Sequence, residues 1–429
     1  NKTMNLSLHD PQFITAEYPT TLTMTLSYGH STSLQFSPCG HYIASGLLDG
    51  TILIIDTWTN NVTTIIKSHT MPITGLRWIY NENYCGLLSW SRDWKICIHE
   101  LENSKINLIW ENVFTGGVWN VDIIKQDLSW DNWMVIVCKV DGGICIVKNG
   151  EIIDIDVGNE NIGVSLCCFS FFNGKYVITG TSMGWLQIID IENLKVIKNI
   201  KICNGNIKGV EIVEKAYYDN ESNLLFGLNN VPINRLIVNS SDRIIKQYDI
   251  SNWYKEDTTF ELEIEQKYQD VVNRIQWNTV KFSPTGEFVC ASSQGGSGAA
   301  HDVYVWETSM GSLVQILEGA HEELIDVHWA TRSINGNVCC VCANGMDSGT
   351  IFMWGVKPLQ KWSALAPDFE EIEQNIDYIE MEDEFDLNEE IDEINDEKII
   401  DYKVDVVTRE QTDARGFKFI KGCIIDTKI

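Results

Sequence analysis

Before residue 360 the chain shows almost no helical periodicity. Short apolar runs rich in β-branched residues, TILIID and YVITG among them, are separated by Gly, Asp and Asn turns, which predicts strands. One arrangement recurs. An apolar strand ends in Phe-Ser-Pro or a similar turn, and a second strand follows. A small residue and an Asp-Gly-like turn then lead into a third strand that closes near Trp or Asp. The arrangement is clearest in LQFSPCGHYIASGLLDGTILIIDTWT, from Leu34. It returns in LRWIYNENYCGLLSWSRDWKICIHEL from Leu76 and, more weakly, in VDIIKQDLSWDNWMVIVCKVDGGICIVK. Further copies are LCCFSFFNGKYVITGTSMGWLQIIDIE from Leu166 and a degraded one ending RLIVNSSDRIIKQYDIS. The last two begin VKFSPTGEF at Val280 and VHWATRSINGN at Val327.

Seven copies are therefore expected. The turn residues Asp49, Asp93 and Asp141 lie 44 and 48 positions apart, close to the roughly 40–45 residues of a four-stranded WD40-type blade. Each strand set needs a neighbour on both sides to bury its faces, and closure into a ring removes exposed edges. The N-terminal TLTMTLSYG alternates without a blade of its own, so it is expected to supply the outer strand of the last blade. The connection from Glu211 to Val231 and the loop SSQGGSGAAHD read as insertions, expected on loops at one rim where binding concentrates.

Candidate chemistry does not assemble along this part of the chain. The Gly-rich SQGGSGA lacks the Lys-Thr/Ser and following helix of a phosphate cradle. Cys339, Cys340 and Cys342 have no second pair at zinc-finger spacing and read as buried small hydrophobes. The 13 Cys fall mostly in apolar runs, the usage of reduced thiols in the cytosol or nucleus. His69 and His321 sit at inter-blade connections suited to bonding a turn Asp. Asp49, Asp93, Asp242 and Asp347 are placed to stabilise turns. A propeller enzyme would instead carry equivalent ionisable residues on its inner strands. Those strands are read as YIASGL, YCGLLSW and YVITGT, which hold little of that kind, so a non-catalytic scaffold is favoured. No cofactor or metal is expected. No apolar run approaches the ~18 residues of a membrane span, and the start NKTMNLSLHDPQF has no signal-peptide core.

Charge changes the picture after residue 360. Of the net −28, the segment from Asp368 to Asp405 supplies −16, with 18 Asp and Glu against Lys398 and Lys403. That concentration marks an acidic interaction tail. Ile372, Ile376 and Ile379 fall at i, i+4 and i+7, on one face of a short helix. Glu371, Glu373, Asp377 and Glu380 crowd the rest, and like charges at these spacings disfavour an isolated helix. The segment is expected to order on a basic, pocketed partner; the alternative is a solvated acidic linker. Val404, Asp405, Val406 and Val407 alternate in a β-branched strip suited to groove binding, or to packing on this chain's own propeller.

WSALAPDFEEIEQNIDYIEMEDEFD, with SDRIIKQYDI, YQDVVNRIQWNTVKFSPTGEF and VYVWETSMGSLVQILEGAHEELIDVHW, resembles the retinoblastoma-binding-protein-five family, and its fungal members most. These are WD-repeat core subunits of COMPASS-type, SET-domain histone H3 lysine-4 methyltransferase complexes. The resemblance implies an all-β, seven-bladed WD40 β-propeller followed by an extended acidic C-terminal tail with short induced elements. It implies a nuclear, non-catalytic scaffold. Its partners would be a SET-domain methyltransferase subunit, a SPRY-domain subunit, a second WD40-repeat subunit and the nucleosome, through DNA and histones, with no membrane role. Trp362, Ala366, Pro367, Asp368, Phe369, Ile372 and Asp377 would contact the SET subunit. Glu380, Glu382, Asp383, Glu384, Phe385 and Asp386 would dock the SPRY subunit, with Phe385 as aromatic anchor. Val404, Asp405, Val406 and Val407 would bind the second WD40 subunit. Arg243 and Arg274 match positions that face nucleosomal DNA, although a Ser-Asp-Arg turn is also common in WD repeats. SSQGGSGAAHD is less basic than its family counterpart. The expected division is 1–30, including the closing strand; 31–357, the propeller; 358–379, the SET segment; 380–400, the SPRY motif; and 401–429, the C-terminal segment. A scaffold of some other assembly that uses the same tail logic is the alternative.

Overall fold

The computed structural model describes residues 18–356 and Ile425, except for 82–83, 102–105, 159, 220–223, 229–230, 256–257, 296–300 and 331–339. Among the described residues, strands group into seven four-stranded antiparallel sheets and one two-stranded ribbon. Blade 1 comprises Ser31–Phe36, Tyr42–Leu47, Thr51–Asp56 and Val62–Lys67, in that order across the sheet. Blades 2 to 6 occupy 73–113, 118–155, 165–201, 207–268 and 276–317. Blade 7 takes Leu324–Trp329, Val341–Gly345 and Ile351–Gly355, and its outer strand is Thr21–Leu26 from the other end of the chain. The fold is the all-β, seven-bladed propeller expected from the repeats.

The core is divided into seven apolar slabs, each between two neighbouring blades. Cys167, Ile178 and Leu186 of blade 4 meet Ile207, Leu236 and Val238 of blade 5, for example. The other six junctions repeat this scheme. The middle strands of a blade therefore have a slab on both faces. Tyr42–Leu47 is buried at every position, while the outer strand Lys195–Lys201 alternates exposed and half-buried residues. The period of two thus survives only at the rim. Close blade contact also fixes certain glycines. A Cβ on Gly46 would lie 2.5 Å from Ile73 Cβ of blade 2, and one on Gly180 would lie 2.5 Å from Ile207 Cγ2 of blade 5.

The first strands of successive blades pack on one another around the whole ring, so they line its centre. Antiparallel pairing then defines two faces. First-to-second and third-to-fourth connections lie on one, which is also where the last described strand, Ile351–Gly355, ends. This is the exit face. Second-to-third turns and blade-to-blade connections lie on the other, the far face. The two insertions consequently fall on opposite faces, not on one rim. The blade 5 insertion begins after Val213, joins first to second strand, and carries the ribbon Tyr217–Tyr218 with Leu224–Phe226 on the exit face. SSQGGSGAAHD joins second to third strand of blade 6 on the far face.

Candidate functional site

The inner ring is more ionisable than the sequence reading allowed. YIASGL, YCGLLSW and YVITGT are second strands, one layer out from the centre. The first strands carry Gln35, Arg77, Asp122, Glu211, Lys281 and His328 at one shared register position, with Phe169 as the seventh member. Their partners show what they do. Gln35 Oε1 accepts the Trp78 amide at 3.1 Å, from blade 1 to blade 2. Asp122 Oδ2 accepts the Ser170 amide of blade 4 at 2.7 Å, and its Oδ1 lies 3.4 Å from Arg77 Nε of blade 2. Glu211 Oε2 accepts the Phe282 amide of blade 6 at 3.1 Å. His328 Nε2 lies 3.4 Å from Asp326 Oδ2, which accepts the Leu34 amide of blade 1 at 3.2 Å. Burial pushes the Asp326 carboxyl up, but His328, Lys281 and that amide outweigh it and hold the carboxyl below its usual range. The position is a set of fasteners between blades. VDI and VEI, each an acid between apolar neighbours in a first strand, are its signal in the sequence, and IDV marks Asp326, two residues before the shared position in blade 7.

The turn acids also have structural partners. His69 is buried, which lowers its pKa despite nearby Asp93. Its neutral ring donates from Nδ1 to Asp93 Oδ2 at 3.2 Å, and Nε2 accepts from the Ser89 hydroxyl at 2.9 Å. Asp93 also accepts the Thr70 and Lys95 amides. Asp49 accepts the Thr51 amide at 2.9 Å. Asp242 accepts the Ile244 amide and faces Lys246 Nζ at 2.8 Å. In blade 7 the expected His321 pairing does not form: His321 is exposed, and Glu322 takes the amides of Asp347 and Ser348, each at 2.7 Å. In both blades a carboxylate satisfies the turn amides, Asp93 in blade 2 and Glu322 in blade 7. Cys340 and Cys342 lie together in the slab between blades 7 and 1; Cys339 lies outside the described residues. Burial pushes the Cys97 and Cys145 thiols up to about 12, so both are inert at neutral pH.

Arg243 and Arg274 both lie on the far face. Arg243 lies in the second-to-third turn of blade 5 and Arg274 in the connection to blade 6. Both are exposed, and both have left-handed backbone, with φ of 69° and 50°. Trp277 Nε1, in the first strand of blade 6, donates to the Arg243 carbonyl at 3.2 Å and ties that turn to the strand that follows Arg274. Asp270 shapes the second loop by accepting the Val272 and Asn273 amides at 3.0 and 2.9 Å. In the same connection as Arg274, Val271 and Val272 are 71% and 88% exposed, so this loop offers a cation beside apolar surface. Trp354 anchors the last described strand from the core: it is fully buried and its Nε1 donates to the carbonyl of Glu318, at the start of the blade 6–blade 7 connection, at 2.8 Å. The remaining candidates, Trp362 to Asp377, Glu380 to Asp386 and Val404 to Val407, lie outside the described residues.

Closed ring, four-stranded blades and His–Ser–Asp turn together define a WD-type β-propeller, and the WD domain, G-beta repeat family matches residues 20–56. The chain is 35% identical to the Set1 complex component swd1 of Schizosaccharomyces pombe, over 96% of this chain and 98% of that protein. It is 35% identical to the COMPASS component SWD1 of Saccharomyces cerevisiae, over 96% and 95%. The retinoblastoma-binding protein 5 homolog of Drosophila melanogaster is 30% identical over 88% of this chain and 70% of that protein. The crystal structure of the Myceliophteria thermophila Cps50 (Swd1) β-propeller domain matches 78% of this chain and 99% of its own, with a TM-score of 0.64 and 28% identity. The chain belongs to the Swd1/retinoblastoma-binding protein 5 family of WD-repeat proteins.

Proposed function

We propose that this protein is a non-catalytic scaffold subunit of a nuclear, COMPASS-type histone H3 lysine-4 methyltransferase complex. The observation that carries the reading is similarity to Set1-complex and COMPASS components over 96% of the chain. Coverage of that extent reaches well into the acidic tail, beyond the propeller that the solved structure matches. The fastening roles of the inner-ring acids further support a scaffold: each gives an oxygen to a backbone amide of the next blade.

In this reading the tail does the joining. Trp362, Ala366, Pro367, Asp368, Phe369, Ile372 and Asp377 contact the SET-domain subunit. Glu380, Glu382, Asp383, Glu384 and Asp386 meet cations of the SPRY-domain subunit while Phe385 fills an apolar pocket. Aromatic anchors ringed by complementary charge commonly dominate such interfaces. Val404, Asp405, Val406 and Val407 engage the second WD40-repeat subunit. Arg243 and Arg274, on the face opposite the tail exit, contact nucleosomal DNA phosphates, so salt weakens that contact.

The test is a pull-down of recombinant SPRY-domain subunit by the full chain and by its F385A/E382A double variant. Loss of capture, with unchanged propeller unfolding, is the expected result. Capture equal to the unaltered chain contradicts the docking assignment.

A further inference from the structure

After the acidic stretch the sequence turns apolar again, as GFKFIKGCII over 416–425. Ile425, far outside the propeller in sequence, is 7% exposed and belongs to the slab between blades 1 and 2. It shares that slab with Cys39, Tyr42, Trp78, Cys85 and Leu101. Its backbone amide donates to the Tyr42 hydroxyl at 3.1 Å. Cys39 lies in the first-to-second connection of blade 1, Tyr42 and Cys85 open second strands, and Leu101 follows a third strand. All four therefore mark the exit-face end of the slab. The chain also leaves blade 7 on this face, and blade 7 adjoins blade 1 around the ring.

We propose that Ile425 is a latch that seats in the blade 1–blade 2 seam, so the chain is held to its propeller at a second point beyond Val356. The occupant of the seam is this chain itself. The Ile425 side chain closes the open end of an apolar slab, and its amide finds an acceptor in a hydroxyl at the slab's edge, which satisfies a backbone group that burial would otherwise leave unpaired. The two anchors are about one blade apart, while the chain between Val356 and Ile425 is far longer than that span requires. The second anchor keeps the local concentration of the intervening chain at the exit face high. None of this depends on which partner the tail takes, and the experiment uses the chain alone.

Amide hydrogen exchange of the full chain, unaltered and I425D, tests the latch. In I425D, segments 39–44 and 78–88 should exchange roughly tenfold or more faster. The closing strand Thr21–Leu26 should stay unchanged and report an intact ring. A synthetic peptide of residues 413–429 added to I425D should restore the protection. Equal exchange in both proteins overturns the latch, as does failure of the peptide to protect. Should I425D fail to fold, Y42F and I425V decide: a smaller increase confined to the same segments supports the latch, and none overturns it.

Discussion

Asp122 joins three blades from one side chain, taking the Ser170 amide at 2.7 Å and facing Arg77 at 3.4 Å. Replacing it with alanine strands a buried amide and leaves Arg77 without its counter-charge. D122A should destabilise the propeller by about 2–3 kcal/mol, read as a lower denaturant midpoint. D122N keeps an acceptor for the Ser170 amide and should lose less. An unchanged midpoint for D122A would show that the fasteners carry no stability. This layer was hard to read from sequence for a physical reason. The most apolar strands of a propeller are its middle ones, with a slab on each face, so apolarity points to them as the interior. The true inner strands are shorter of apolar contact and hold their polar residues in pairs with the next blade. At single turns the reading was easier. His69 and Asp93 pair across a blade junction as their positions implied, whereas in blade 7 the neighbour of His321, Glu322, holds the turn.

At the scale of elements, the closing strand shows how sequence alternation and structure diverge by one residue. Leu22 packs on the slab between blades 6 and 7, and Met24 packs on the slab between blades 7 and 1. Alternation would put both on one face, but the register shifts between them. That bulge lets one short strand grip both sides of the last blade. The L22D/M24D double variant should lose about 2–4 kcal/mol, with amide protection of Ile351–Gly355 lost before that of other third strands. Global unfolding without this local step would mean that the ring does not open at its closure. The repeat pattern was legible because each blade reuses the same turn chemistry at nearly fixed spacing. The placement of the insertions was not, because a first-to-second and a second-to-third connection look alike in sequence yet emerge on opposite faces.

The whole molecule separates its surfaces. The last described strand ends on the exit face, while Arg243, Arg274 and the exposed Val271 and Val272 lie on the far face. In the proposed assembly this lets the tail hold other subunits without its charge shielding the cations that meet phosphate. The segment carrying −16 would repel DNA if it shared their face, since such fields reach about a Debye length, ~8–10 Å at physiological salt. In the proposed assembly one chain raises methyltransferase output by joining the SET and SPRY subunits through its tail. The most direct measurement is the rate of histone H3 lysine-4 methylation by those two subunits, with the full chain or its F385A/E382A variant. Stimulation by the full chain, and a drop of about tenfold or more with the variant, is the expected result. Equal stimulation by both would contradict it.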